Sequence, residues 1–93
     1  MIGFYDLKKA LFFPQMAGFL RAKKDVPYLY DLLVKERIQT RLNMKEAIVE
    51  MHLIKRSDIA DRLERDWVML DQTYEHDIAL CSQFMLENGI MPI

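Results

Sequence analysis

The chain has very few of the residues that build turns and disulfide bridges. Its 93 residues include one cysteine, three glycines and three prolines. The single cysteine, Cys81, cannot form an intrachain disulfide, which excludes a disulfide-stabilised secreted scaffold and fits a reducing compartment. So few glycines and prolines are unlike a β-rich fold with many turns. We expect one intracellular, cytoplasmic domain of the all-α class.

A long apolar run is also missing. The longest apolar tract, residues 10–20, is about half the roughly 20 residues that cross a bilayer. Basic residues follow it instead of a cleavage site, so it does not resemble a signal peptide. Its phenylalanines could anchor the chain at a membrane surface, but Pro14 interrupts the amphipathic pattern. We expect this segment to pack into the core and expect no peripheral membrane contact.

Motifs for catalysis or metal binding are sparse. His52, His76 and Cys81 are the only histidine and cysteine candidates for a metal site, and His76 and Cys81 are five positions apart, which turns them away from each other on a helix. The three glycines are isolated, so no phosphate-binding loop is present. A thiol among apolar residues is ordinarily inert. We expect a non-enzymatic protein with no catalytic residue, cofactor or metal site.

Charge is nearly balanced overall but sorted along the chain. The net charge is −1. Residues 1–56 hold eleven of the thirteen bases, and residues 57–93 hold eight of the fourteen acids. This balance is unlike that of a dedicated nucleic-acid-binding domain, which is markedly basic. The sorting indicates either a partner on each side or two halves folded against each other, and we favour the second interpretation.

The clearest positive feature is an apolar stripe in the last third of the chain. Its members follow one another at steps of three and four residues, which is the spacing of one helix face. Asn88 and Gly89 come next, and glycine readily takes the left-handed conformation that often ends a helix. We predict a helix over about residues 58–88 with this packing seam: Ile59, Leu63, Trp67, Leu70, Tyr74, Ile78, Cys81 and Met85.

The rest of the chain also shows helix signals. Asp25 is a candidate N-cap with Pro27 in the first turn, and Asn43 with Glu46 has the spacing of a capping box. The apolar face shifts near residues 55–58, which favours a break there over one unbroken helix from residue 44. We predict a small bundle of three to four helices, with helical segments over about residues 4–22 (interrupted at Pro14), 26–42, 44–56 and 58–88.

The predicted C-terminal helix is long for so small a chain. At 1.5 Å per residue it would extend about 46 Å, whereas a compact domain of this length is roughly 32 Å across. The helix must therefore overhang, bend or be covered by a partner. Exposed apolar patches usually mark contact sites. We expect a homo-oligomer, because an identical stripe is always available on a second copy.

Acids flank the stripe on both edges. At 100° per residue they form a charged rim of the kind that selects which helix packs alongside. The natural intrachain counterpart is the basic helix 26–42. If the acids are instead exposed and contiguous, a basic partner is favoured. The predicted rim consists of Asp66 and Asp77 on one edge and Glu64, Asp71 and Glu75 on the other.

Residues 57–63 resemble the opening of a helix-turn-helix repressor motif. They read Ser-Asp-Ile-Ala-Asp-Arg-Leu, and Leu-Glu-Asn-Gly-Ile at 86–90 is similar to the phrase that closes such domains before a wing. The resemblance implies a first motif helix over 58–63 and a recognition helix within 70–78. Three acids lie in that second segment and would oppose contact with phosphates.

If DNA is bound, the basic region 35–65 is the better candidate for the contact. Its candidate residues are Lys35, Arg37, Arg41, Lys45, Lys55 and Arg56. We prefer a different function, that of a small helical bundle acting through protein–protein contact as a regulator, inhibitor or assembly subunit, self-associating through its C-terminal helix. Chains of this size and type are common among phage and mobile-element products, although this is an analogy of class alone.

Overall fold

The computed structural model describes all residues from Met1 to Ile93 and is mostly helical, with no strand. Two long helices form an antiparallel hairpin, and a short N-terminal layer packs on one side of it. The predicted all-α class and the long C-terminal helix are confirmed. The helices are α1 (Phe4–Ala10), α2 (Val26–Leu53) and α3 (Ser57–Glu87), and two 3₁₀ turns span Pro14–Phe19 and Lys23–Asp25.

The predicted break between residues 42 and 44 is wrong, because α2 continues through it to Leu53. A capping box acts only where the helix begins, since only there are backbone N–H groups free. The Asn43 amide oxygen instead accepts a hydrogen bond from Gln39 Nε2 at 3.0 Å on the exposed surface. No glycine or proline lies between Pro27 and the end of α2, so nothing terminates the helix earlier.

The predicted break near residues 55–58 is confirmed, and it is a Schellman turn. Arg56 N–H donates to Met51 C=O at 2.7 Å, and Lys55 N–H donates to His52 C=O at 3.1 Å. Lys55 therefore has φ of 60°, a left-handed conformation unusual for a residue with a side chain. Ser57 starts α3 without capping it, and its hydroxyl lies 3.4 Å from His52 Nδ1.

The N-terminal layer is divided at Pro14, as predicted. Proline is tolerated at the start of a helical turn and not inside one, so α1 stops and a 3₁₀ turn follows. Asp25 does not cap α2. Its carboxylate accepts hydrogen bonds from the N–H groups of Arg21 and Ala22, both at 2.9 Å, and so holds the second 3₁₀ turn.

The hydrophobic core occupies one end of the hairpin. It lies where the N-terminal layer, the start of α2 and the end of α3 meet, whereas between residues 34 and 73 only Ala60 is buried. The molecule measures 50 × 23 × 19 Å, and its long dimension is close to the roughly 46 Å length of α3. α2 packs along α3, so α3 does not extend alone from the fold. The core residues are Leu7, Leu11, Met16, Leu20, Val26, Leu29, Leu33, Tyr74, Cys81, Phe84 and Met85.

No helix combines the length and the apolar character that crossing a bilayer demands.

Candidate protein-contact surface on the helical hairpin

The predicted seam of α3 is buried only in part. Tyr74, Cys81 and Met85 lie in the core beneath the N-terminal layer. Burial then decreases toward the turn between α2 and α3, because no third layer covers that end. The remaining five seam residues are half-buried: Ile59, Leu63, Trp67, Leu70 and Ile78.

One edge of the predicted acidic rim pairs with α2. Arg37 donates two hydrogen bonds to the Asp71 carboxylate, at 2.7 and 3.0 Å, and Arg41 lies 3.7 Å from the same carboxylate. Glu75 lies 4.0 Å from Arg37. The Arg37 guanidinium lowers the pKa of Asp71 below its ordinary value, chiefly through these hydrogen bonds. Asp71 and Glu75 therefore join the two halves of the chain, as the favoured interpretation of the charge sorting expects.

On the other edge, the prediction that Asp77 belongs to the charged rim is wrong, because this side chain is fully buried. Its two carboxylate oxygens accept hydrogen bonds from Phe12 N–H at 2.7 Å and Phe13 N–H at 2.9 Å. His76 Nδ1 lies 2.8 Å from the same carboxylate, and the His76 ring stacks on Phe12 with centroids 3.5 Å apart. Asp77 thus attaches the N-terminal layer to α3. Periodicity could not reveal this, since the donors lie over 60 positions away.

A second stripe, which sequence analysis missed, runs along the uncovered side of the hairpin. It has one line of residues on each helix, and each line follows steps of 4, 3, 4 and 3, the spacing of one helix face. We call the two lines together the open face. The α2 line is Val34, Ile38, Arg41, Lys45 and Ile48, and the α3 line is Glu64, Val68, Asp71, Glu75 and Ile78.

The open face is apolar at several points and is not covered by the rest of the chain. Ile38 is 55% exposed and Val68 is 50% exposed. Two shallow grooves lie on it, one on each side of Arg41, whose guanidinium is 5.9 Å from the Trp67 ring centroid. The first groove is lined by Val34, Arg37, Ile38, Arg41 and Ile78, and the second by Arg41, Met44, Lys45, Ile48, Glu64 and Trp67.

The N-terminal layer lies on the opposite side of the hairpin. Phe4 packs near Phe84, and Phe13 packs on Tyr74, with ring centroids 6.1 and 4.8 Å apart. On that side the 3₁₀ turns place Phe19 beside Leu32 of α2. At its core end the fold therefore consists of α2, α3 and the N-terminal layer, and elsewhere it consists of α2 and α3 alone.

The basic residues nominated for DNA contact are dispersed. Arg37 and Arg41 engage Asp71, and Arg56 pairs with Asp58 at 3.1 Å. Lys35 pairs with Asp31 of its own helix at 2.8 Å. Of the remaining two, Lys45 lines the second groove and Lys55 is in the interhelical turn.

The helix-turn-helix arrangement implied by residues 57–63 is not present. That motif needs a turn between its first helix and its recognition helix. Residues 58–63 and 70–78 both belong to the unbroken helix α3. No strand follows residue 90 to form a wing.

The residues considered for metal binding lie apart, and no group of three or more histidine, cysteine or acidic side chains is placed to hold a metal ion. Burial, together with the charge of Asp77, raises the pKa of the Cys81 thiol to about 12. The thiolate is therefore strongly disfavoured at neutral pH, and this side chain behaves as a small apolar group.

Comparison of the chain with protein-family models, with curated proteins and with solved structures finds no match.

Proposed function

We propose that this protein acts without catalysis, by presenting its open face to a protein partner, as a regulator, inhibitor or assembly subunit. The observation that carries the proposal is the unequal covering of the hairpin. At the core end one side has the N-terminal layer, while the open face leaves Ile38 and Val68 at least half exposed. An apolar helix face normally packs against another element, so an apolar face that the chain leaves uncovered indicates a contact site.

The chemistry of the open face favours a protein over a nucleic acid. Its acidic line carries Glu64, Asp71 and Glu75, which would repel phosphates. Two basic side chains on the facing helix, Arg37 and Arg41, already pair with Asp71 and Glu75. A surface that alternates apolar grooves with charges of both signs suits another amphipathic helix.

Site-specific photocrosslinking in the organism that encodes the chain tests this proposal. A photoreactive phenylalanine analogue replaces Ile38 on the open face, and the matched control replaces Tyr28, which is 67% exposed on another side of α2. We expect a protein adduct, with this chain or with another, from position 38 and not from position 28. Equal labelling at both positions, no protein adduct, or an adduct only with nucleic acid would overturn the proposal.

A further inference from the structure

We propose that the occupant of the open face is a second copy of this chain. In the resulting two-fold dimer the interhelical turns of both copies lie at the same end, and α2 of each copy packs on α3 of the other. This inference rests on the proposed protein-contact function and specifies its partner.

The first argument is the separation of charge across the open face. The charged residues of the α2 line, Arg41 and Lys45, are both bases. The charged residues of the α3 line are all acids, and one of them, Asp71, lies opposite Arg41. Further toward the turn, Lys45 and Glu64 line the same groove. Bases and acids thus stand at matching levels along the hairpin.

Two hairpins can stack face to face about a two-fold axis in two ways. An axis perpendicular to the helices puts α2 on α2 of the partner, with the turns at opposite ends. The basic lines then face each other, as do the acidic lines, and like charges placed opposite one another are destabilising. An axis parallel to the helices puts α2 on α3 of the partner, so bases face acids at the same levels. The charges therefore select the second arrangement.

Helix direction is compatible with that choice. Within the hairpin α2 and α3 run antiparallel, so in the selected arrangement every neighbouring pair of helices is antiparallel. This is the up-and-down four-helix bundle, a stable way to cover amphipathic hairpins. Val34 and Ile78 would pack at one end of the interface and Ile48 toward the other. The Arg37–Asp71 pair would form a polar layer between them, a device that can set register.

The size of the open face is sufficient for a dimer. The α2 line and its flanking turns span about 30 Å at 1.5 Å per residue, and a pair of helices is roughly 20 Å wide. Each copy therefore offers on the order of 600 Å², or about 1,200 Å² in total, which reaches the lower limit of stable interfaces.

The first experiment measures mass in solution. Light scattering after size exclusion should give twice the 11.1 kDa of the chain. Lys45→Glu and Glu64→Lys, both at exposed positions, should each weaken the dimer about tenfold or more, because each places like charges across the interface. Circular dichroism checks that both variants remain helical.

Mixing the two variants distinguishes the effect of charge pairs between copies from the effect of charge pairs within one copy. In the mixed dimer the glutamate introduced at position 45 of one copy faces the lysine introduced at position 64 of the other. The unmutated Lys45 of the second copy likewise faces Glu64 of the first. Both pairs within a copy remain repulsive. We expect the mixture to recover the dimer, whereas failure to do so would overturn the proposed pairing.

Spin labels decide the direction of packing. Leu53 is 77% exposed at the turn end of α2, and labels there in a Leu53→Cys, Cys81→Ser chain should lie about 20–25 Å apart across the bundle. Turns at opposite ends would separate them by about 40 Å, because position 53 is 12 residues, or about 18 Å, from the level of Arg41. The longer distance would overturn the arrangement. A monomer at all accessible concentrations, with position 38 still crosslinking another protein, would overturn the dimer and leave the proposed function standing.

Discussion

The Asp77 carboxylate accepts a hydrogen bond from the Phe12 N–H at 2.7 Å while being completely shielded from solvent. The next backbone N–H along the chain, that of Phe13, occupies the other carboxylate oxygen. A buried acid is tolerated when hydrogen bonds replace its lost hydration. Asp77 of α3 thereby holds Phe12 and Phe13, which follow α1, and the attachment of the N-terminal layer depends on this side chain.

Removing that carboxylate should destabilise the protein strongly. Asp77→Ala leaves two backbone N–H groups without acceptors, so we expect a loss of about 2–4 kcal/mol in the free energy of unfolding. Urea denaturation measures it, and the amide protons of Phe12 and Phe13 should exchange faster. Asp66→Ala, an exposed acid on the same edge of α3, is the control and should cost under about 0.5 kcal/mol. Equal effects of the two variants would contradict the assigned role.

The Asp71–Arg37 pair predicts a dependence of stability on acid. Because the pKa of Asp71 is lower in the folded protein than its ordinary 3.8, the pair stabilises the fold above that value. The stabilisation is lost as the pH falls through the lower, folded pKa. Both groups are about a quarter exposed, so the contribution is modest, about 0.5–1 kcal/mol. Thermal melting from pH 6 to pH 2 should show a shallower acid loss for Asp71→Asn; an unchanged slope would contradict this coupling.

The two long helices each end in a Schellman turn, and the residue in the left-handed conformation differs between the two turns. Gly89 has φ of 64° after α3, and Lys55 has φ of 60° after α2. Ile90 N–H donates to Met85 C=O at 2.8 Å, matching the bond from Arg56 to Met51. Lys55→Gly should therefore stabilise the protein by about 0.5–1 kcal/mol, because glycine is not strained there.

The reciprocal substitution is the matched control for that prediction. Gly89→Lys should lower the free energy of unfolding by a similar amount, and Glu46→Gly in the middle of α2 should lower it by about 1 kcal/mol. Chemical denaturation compares all three variants. Destabilisation by Lys55→Gly would show that the turn does not hold Lys55 in the left-handed conformation.

Asn43 provides a direct test of the continuity of α2. If Asn43 were an N-cap, its substitution by alanine would lower the free energy of unfolding by about 1 kcal/mol. Inside a helix alanine is the better residue, so Asn43→Ala should instead raise stability by about 0.5 kcal/mol. The change in urea midpoint gives the sign, and a decrease near 1 kcal/mol would indicate a helix starting at residue 44.

Substitutions at two residues of the α3 seam should have different effects, one on folding stability and the other on association. Tyr74 is buried in the core, so Tyr74→Ala should lower the free energy of unfolding by about 3 kcal/mol. Trp67 is half-buried beside the second groove, so Trp67→Ala should chiefly lower the oligomer mass, and the double variant should do both. Unchanged mass and melting temperature in the double variant would contradict burial of the seam.

Local signals along the chain were sufficient for several features. The stripe from Ile59 to Met85 and the glycine at position 89 predicted α3 to within one residue at each end. Pro14 divided the N-terminal layer for a steric reason that holds in any context. The capping box at Asn43 failed because such a box is significant only where the helix begins. That false break also hid the open face, since it divides the α2 line between Arg41 and Lys45.

The sequence by itself determined that the chain is helical, where α3 lies and which of its faces is apolar, because periodicity and chain sterics are properties of neighbouring residues. Only the tertiary structure decided that Asp77 is a buried anchor and Asp71 a partner of Arg37, although both are acids beside the same stripe. The difference arises from which segment packs over each edge of α3, and no local pattern contains that information. The tertiary structure also showed that the hairpin is covered on one side and only at its core end, since this depends on where the N-terminal layer folds back.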